Sequence, residues 1–240
     1  MAKTQRLDKI LSNMGYGTRK EIKIFIKKNN VKVNGVGVKD GSFHVSPHED
    51  MIEINGERLD YRDTVYLMMN KPQGVISASF DPKVETVVDL LDEGYRIFEL
   101  FPVGRLDKDT EGLLILTNDG KLAHELLAPK KHVPKTYFAV VDGKVTNQDQ
   151  ESFQKGVTLD DGYVTQPAEL ILLKSDDISE IELTIYEGKF HQVKRMFEAV
   201  GKKVTYLKRI AMGSLKLDSN LDLGEYRELT EEEMQILMNR

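Results

Sequence analysis

The sequence predicts an α+β protein in two parts, and three observations carry that reading. First, 240 residues suffice for one large domain or two smaller ones. Second, strand-like runs and helix-like stripes are mixed along the chain, with no repeat, no low-complexity tract and no nucleotide-binding glycine signature. Third, charge is divided unevenly. Residues 1–39 hold ten Lys and Arg against two acids, while the remaining residues hold 24 against 37. A basic head on an acidic body suggests a module that meets a polyanion, although charge alone is read more readily as a solvated face.

Composition narrows the classes. Hydrophobic residues make up 40% and charged residues 30%, which suits a packed protein in water. There is no apolar run of membrane-spanning length, and Met1 to Gln5 lacks a signal-peptide core. The absence of cysteine removes disulfides, thiolate zinc sites and cysteine nucleophiles together. His44, His48, His124 and His132 show no metal-ligand spacing, so no metal is expected. A cytoplasmic protein with no membrane partner, acting as a monomer, is the expectation.

The head reads in order. Leu7, Ile10, Leu11 and Met14 recur at helical spacing, and Gly15-Tyr16-Gly17 ends that helix. Thr18 followed by Glu21 is a capping-box signature for a second helix. Ile22, Phe25 and Ile26 form its apolar stripe, and Arg19, Lys20, Lys23 and Lys27 mostly share the other side. Val31-Lys32-Val33 alternates as a strand, and Asn34-Gly35 is a tight-turn dipeptide before Val36 and Val38. Ile52 to Leu59 reads as the head's last strand. The polar link Asp60-Tyr61-Arg62-Asp63 places a boundary near residue 60, giving domains 1–60 and 61–240.

In the body, Val65 to Met69 reads as a buried strand, and Asn70-Lys71-Pro72-Gln73-Gly74 enforces a turn after it. Thr136 to Val141, Glu180 to Tyr186 and Val204 to Leu207 read as strands. Lys121 to Leu127, His191 to Val200 and Glu231 to Met238 read as helices. Sheet order is not legible. The densest chemical candidate is Phe101 to Leu114, where Gly104 and Gly112 bracket Arg105, Asp107, Lys108, Asp109 and Glu111. A carboxylate beside a cation stays ionised and held, as a nucleophile or base requires. By its residues alone, the segment reads first as a surface loop with an ion pair.

Resemblance decides between those readings. Arg6-Leu7-Asp8-Lys9-Ile10-Leu11, Thr18-Arg19-Lys20 and Val31-Lys32-Val33-Asn34-Gly35 resemble the S4 RNA-binding domain. Gly104-Arg105-Leu106-Asp107, continued by Asp109-Thr110 and Gly112-Leu113, resembles the central motif of the S4-bearing pseudouridine synthases. Asn70 to Gly74, Lys135-Thr136-Tyr137 and Glu187 to Met196 resemble three further motifs of that family, in the family's order. The resemblance implies a small S4 domain followed by a catalytic domain built on a mixed, mainly antiparallel sheet. It implies an isomerase of RNA uridine that needs no cofactor.

It also implies roles. Asp107 is the catalytic carboxylate, as nucleophile or as base on the ribose. Tyr137 stacks on the target uracil and assists removal of the C5 proton. Lys194 pairs with Asp107 where many relatives carry arginine, with an RNA phosphate as its alternative partner. Arg105 fills the gap left by the extruded base or anchors its loop. Arg195 binds RNA or packs on the helix end, and His191 is read as structural. Arg19, Lys20 and Lys23 contact phosphate, which positions RNA without reading its sequence. Lys108, Arg105, Lys194, Arg195, Lys202, Lys203, Lys208 and Arg209 are expected around the cleft, with the acids kept away from Asp107.

The strings Asp81-Pro82, Thr86-Val87, Thr165 to Ala168, His191 to Phe197 and Gly224 to Thr230 resemble the small-subunit branch of the family. They imply 16S rRNA, or a small-subunit assembly intermediate, as the partner. A 23S rRNA target is the alternative within the family, and a non-catalytic RNA-binding assembly factor is the alternative outside it.

Overall fold

The computed structural model describes residues 4–238. These fold as two compact units. One runs to Val65 and takes in Asp92–Glu99, and the other comprises Tyr66–Leu91 and the chain from Leu100.

In the first unit, β1 (Gln5–Arg6) leads into α1 (Leu7–Asn13) and α2 (Arg19–Lys28). The capping box is formed: the Glu21 amide donates to Thr18 Oγ1 at 3.4 Å, and the Thr18 amide donates to the Glu21 carboxylate at 2.8 Å. β2 (Val31–Val33) and β3 (Val36–Gly37) make a hairpin, β4 (His44–Val45) pairs with β1, and β5 (Ile52–Ile54) pairs with both β2 and β6 (Glu57–Arg58). The single strand expected from Ile52 to Leu59 is thus two strands. Asn55 turns between them with φ of 54°, as Asn34 does at 51° in the first hairpin, and each is followed by glycine. A four-residue helix, α3 (Glu93–Arg96), belongs to the same unit.

Leu7, Ile10, Leu11, Ile22 and Ile26 bury against Val31, Val33, Ile52 and Ile54 in one core. Each apolar side chain withdrawn from water contributes about 1.5–3 kcal/mol, so these stripes define the unit. Burying them leaves Arg19, Lys20, Lys23 and Lys27 exposed.

The second unit is built on one sheet. Its strands are β7 (Tyr66–Lys71), β8 (Phe101–Pro102), β9 (Glu111–Thr117), β10 (Lys135–Asp142), β11 (Glu169–Lys174), β12 (Ile178–Ile185), β13 (Lys203–Met212), β14 (Leu215–Lys216) and β15 (Tyr226–Glu228). Its helices are α4 (Gly120–Leu127), α5 (Asn147–Lys155), α6 (Gln192–Ala199) and α7 (Glu231–Met238). The strand order is β11-β12-β10-β13-β9-β7-β15, with β8 beside β9 and β14 beside β13. Neighbouring strands are antiparallel except β9 and β13. The sheet is therefore mixed and mainly antiparallel, as the resemblance implied.

The parallel seam joins the two halves through Glu111 opposite Lys208 and Gly112 opposite Arg209. Gly112 has φ of 103°, and a Cβ there would lie 2.2 Å from the Arg209 carbonyl oxygen. Only glycine permits that approach. Beside the seam, β13 carries a bulge against β10: Thr136 pairs with Ala211, but Tyr137 pairs with Arg209. The extra residue places Arg209 directly across from Tyr137, on the same face of the sheet.

Candidate active site

The loop between β8 and β9 carries Asp107, and the fold fixes its backbone from several sides. Leu106 is buried, its amide donates to Ser77 Oγ at 3.0 Å, and Ser77 Oγ donates back to the Leu106 carbonyl at 2.9 Å. The Thr110 amide donates to the Asp107 carbonyl at 3.0 Å, closing a tight turn. Lys71, at the end of β7, is wholly buried. Its ammonium donates to the carbonyls of Pro72 at 2.9 Å, Asp107 at 3.1 Å and Thr110 at 3.0 Å. Burial pushes its pKa down to about 8, against the opposing pull of Asp107, Asp109 and Glu111. In the sequence Lys71 is legible only as part of the Asn70 to Gly74 motif, with no role of its own. Its one signal was a lysine ending an apolar strand.

The Asp107 carboxylate is partly exposed and faces two groups of the third motif. Lys194 Nζ on α6 lies 3.3 Å from Asp107 Oδ2 and 2.6 Å from Asp109 Oδ1. The bond from Lys194 holds the Asp109 carboxyl below its ordinary range. His191 Nε2 lies 3.6 Å from Asp107 Oδ1, and its ring stacks on exposed Phe190. Tyr137 on β10 is 8% exposed. Asp107, Tyr137 and Arg105 line one cleft of about 460 Å³ with Tyr163, Glu187, Lys189 and Arg209. A cavity of that size takes a nucleotide-sized ligand.

The other expected site residues fall as follows. Arg105 is exposed and forms no ion pair among the described residues. Arg195 is committed to Asp160 and, at 2.7 Å, to Asp161, so its guanidinium ties α6 to the loop before β11. Lys202 pairs with Asp149 at 2.7 Å, and Lys203 pairs across the sheet with Asp142. Lys202 precedes β13 and Lys203 opens it, about 20 Å along the strand from Arg209, so neither lines the cleft, contrary to the expectation. Arg209 is only 2% exposed and is no phosphate contact on an outer rim. Arg19, Lys20 and Lys23 lie on α2 of the first unit.

The expectation that acids keep away from Asp107 also needs correction. Asp109 shares its lysine, and Glu187 lines the same cleft. Each is locally neutralised or bonded: Glu187 accepts from Tyr163 Oη at 2.6 Å, from the Gln166 amide at 3.0 Å and from Gln192 Nε2 at 2.7 Å. The described residues hold no cluster suited to a metal ion, and no helix among them is long and apolar enough to cross a membrane.

A carboxylate held beside a cation and a buried tyrosine thus share a cleft of nucleotide size, the arrangement of an enzyme's substrate site. Comparison with known proteins then gives the family. The RNA pseudouridylate synthase family matches residues 65–199, and the S4 domain matches residues 5–52. An uncharacterized RNA pseudouridine synthase of Bacillus subtilis is 53% identical over 97% of this chain and 98% of its own. The ribosomal large subunit pseudouridine synthase B of Bacillus subtilis is 40% identical over 97% of this chain and 95% of its own. The ribosomal small subunit pseudouridine synthase A of Escherichia coli is 38% identical over 95% and 98%. A crystal structure of a pseudouridylate synthase, 40% identical, superposes with a TM-score of 0.68 over 97% of this chain and 99% of its own. The chain belongs to the S4-bearing RNA pseudouridylate synthase family.

Proposed function

We propose that the protein converts one uridine of 16S rRNA to pseudouridine, with residues 1–60 as its RNA-binding part and 61–240 as its catalytic part. The observation that carries the reading is that Asp107, paired with Lys194, and Tyr137 line one cleft in a family member. In this reading the target base leaves its stack, at a cost of a few kcal/mol, and lies against Tyr137. Stacking returns about 1–3 kcal/mol. Asp107, ionised and held by Lys194, attacks C1′ or removes the C2′ proton, and the N1–C1′ bond breaks. The base turns, C5 bonds to C1′, and the C5 proton leaves while N1 gains one. The sum is an isomerisation, and neither ATP nor a redox cofactor enters. Arg105, exposed and without an ion pair among the described residues, fills the space the base vacates.

Small- and large-subunit relatives stand at nearly the same identity, 38% and 40%. The choice of 16S therefore rests on the strings His191-Gln192-Val193-Lys194-Arg195-Met196 and Gly224 to Thr230. The test is to map pseudouridines on both rRNAs of a strain lacking the protein, with Asp107→Asn as the complementing control. Loss of one 16S site, restored by wild type and not by Asp107→Asn, is the expected result. Loss of a 23S site moves the substrate to the large subunit. No lost site, or full rescue by Asp107→Asn, removes the catalytic reading and leaves an RNA-binding assembly factor.

A further inference from the structure

Arg209 stands out in the second unit as a cation without a counter-ion. It is 2% exposed, its Nε donates to the Leu113 carbonyl at 2.8 Å, and its Nη2 is buried with no hydrogen-bond partner. No ion pair to it exists among the described residues. A guanidinium stays charged at any working pH, and burying a charge unpaired is costly. Yet Arg209 lines the cleft, and the β13 bulge sets it directly across from Tyr137. A bulge and a close glycine contact at Gly112 thus set a positive charge beside Tyr137 in the cleft.

The negative partner this arrangement lacks is one that the reaction generates. When N1–C1′ breaks, the bonding pair leaves on nitrogen, and the detached uracil is an anion spread over N1 and its carbonyl oxygens. C5 then uses that electron density to bond to C1′, its proton departs, and N1 is protonated. RNA phosphates stay at the mouth of such a cleft, whereas the base occupies its depth. We propose that Arg209 stabilises the detached uracil anion, so that it acts on the leaving base while Asp107 acts on the ribose. The inference rests on the cleft being the reacting site, and it does not depend on which rRNA is the substrate. A preorganised charge aimed where charge develops is the strongest general means of lowering a barrier.

The test compares wild type, Arg209→Lys, Arg209→Gln and Asp107→Asn on unmodified 16S and 23S transcripts, made with uridine or with 5-fluorouridine. Fluorine at C5 stabilises the uracil anion, so cleavage depends less on an external cation. Single-turnover cleavage is read from the rearranged nucleoside after digestion, RNA affinity is measured separately, and thermal melts check folding. Arg209→Gln is expected to slow cleavage of uridine about a hundredfold, and 5-fluorouridine to shrink that deficit to about tenfold. RNA affinity should stay within about threefold, because the group acts on the transition state and not on phosphate. Arg209→Lys, which keeps the charge without the fork, should fall between the two.

A rate for Arg209→Gln equal to wild type, an equal deficit on both substrates, or a loss that follows RNA affinity overturns the inference. If Arg209→Gln does not fold, the 5-fluorouridine ratio measured on Arg209→Lys decides by the same criterion. If Asp107→Asn is as fast as wild type, the cleft is not the reacting site and both readings fall. If Asp107→Asn is inactive and Arg209→Gln is unimpaired, only the role of Arg209 falls.

Discussion

Two lysines hold Asp107, and they do it differently. Lys194 touches the carboxylate but sits closer to Asp109, at 2.6 Å against 3.3 Å. A charge-assisted hydrogen bond of this kind contributes about 1.5–3 kcal/mol, so Lys194→Ala should lower kcat about ten- to a hundredfold. Lys194→Arg, able to fork across both carboxylates, should retain most of the rate, and steady-state kinetics on the mapped substrate check both variants. Lys71 acts on the backbone. Its pKa is pushed down to about 8, below the ordinary 10.5 of the unfolded chain. Between those values the folded protein binds fewer protons than the unfolded chain, so the Lys71 contribution raises stability with pH across that window. Below about pH 8 both states are protonated, and the full cost of burying the charge is present. Activity should move the other way: a neutral amine has one hydrogen fewer for the carbonyls of Pro72, Asp107 and Thr110, and the loop loosens. The expected outcome is a kcat that falls above pH 8 while the Lys71-linked stability gain appears in urea titrations between about pH 8 and 10.5. Retention of that gain in Lys71→Met would assign it to another group.

The seam between β9 and β13 is the element on which the site depends, because it brings the Asp107 loop to the bulged strand bearing Arg209. A Cβ at Gly112 would meet the Arg209 carbonyl at 2.2 Å, in a backbone conformation that L side chains resist. Strain of about 1–2 kcal/mol from the dihedral adds to about 1–3 kcal/mol from overpacking. Gly112→Ala should therefore lower the urea midpoint sharply, with Gly120→Ala, at a position open around its Cβ, as the neutral control. What the sequence made legible follows from locality. The Thr18–Glu21 capping box and the Asn34-Gly35 turn are decided within four residues, and both formed as read. Asn55-Gly56 carries the same signal, which the expectation of one strand from Ile52 to Leu59 leaves out. The motif around Asp107 was legible by resemblance. The burial of Lys71 and Arg209 was not, because each is enclosed by strands distant in sequence, and a bulge shifts the register that decides which residue of β13 meets Tyr137. Charge content along the chain likewise does not separate Arg209 from Lys202, one lining the cleft and the other tied to Asp149.

At the scale of the whole molecule, the uneven charge read from the sequence becomes a division of labour. In the second unit four cations are committed inside the protein: Lys194 to Asp107 and Asp109, Arg195 to Asp160 and Asp161, Lys202 to Asp149, Arg227 to Asp218 and Glu233. On α2, Arg19, Lys20 and Lys23 are exposed and form no ion pair among the described residues. Cations already paired inside the protein release few counterions on binding RNA, whereas unpaired ones release about one each. RNA affinity should therefore depend on the head more than its share of the chain suggests. Replacing Arg19, Lys20 and Lys23 together with alanine should reduce the slope of log K against log salt by about 2–3. The loss should be nearly uniform between 16S and 23S transcripts, because phosphate contacts position RNA without reading sequence. Filter binding across a salt series, on both transcripts, measures the slope and the uniformity together. An unchanged slope would move the electrostatic footprint off α2, and a loss confined to one transcript would make the head a reader of the substrate and not simply its anchor.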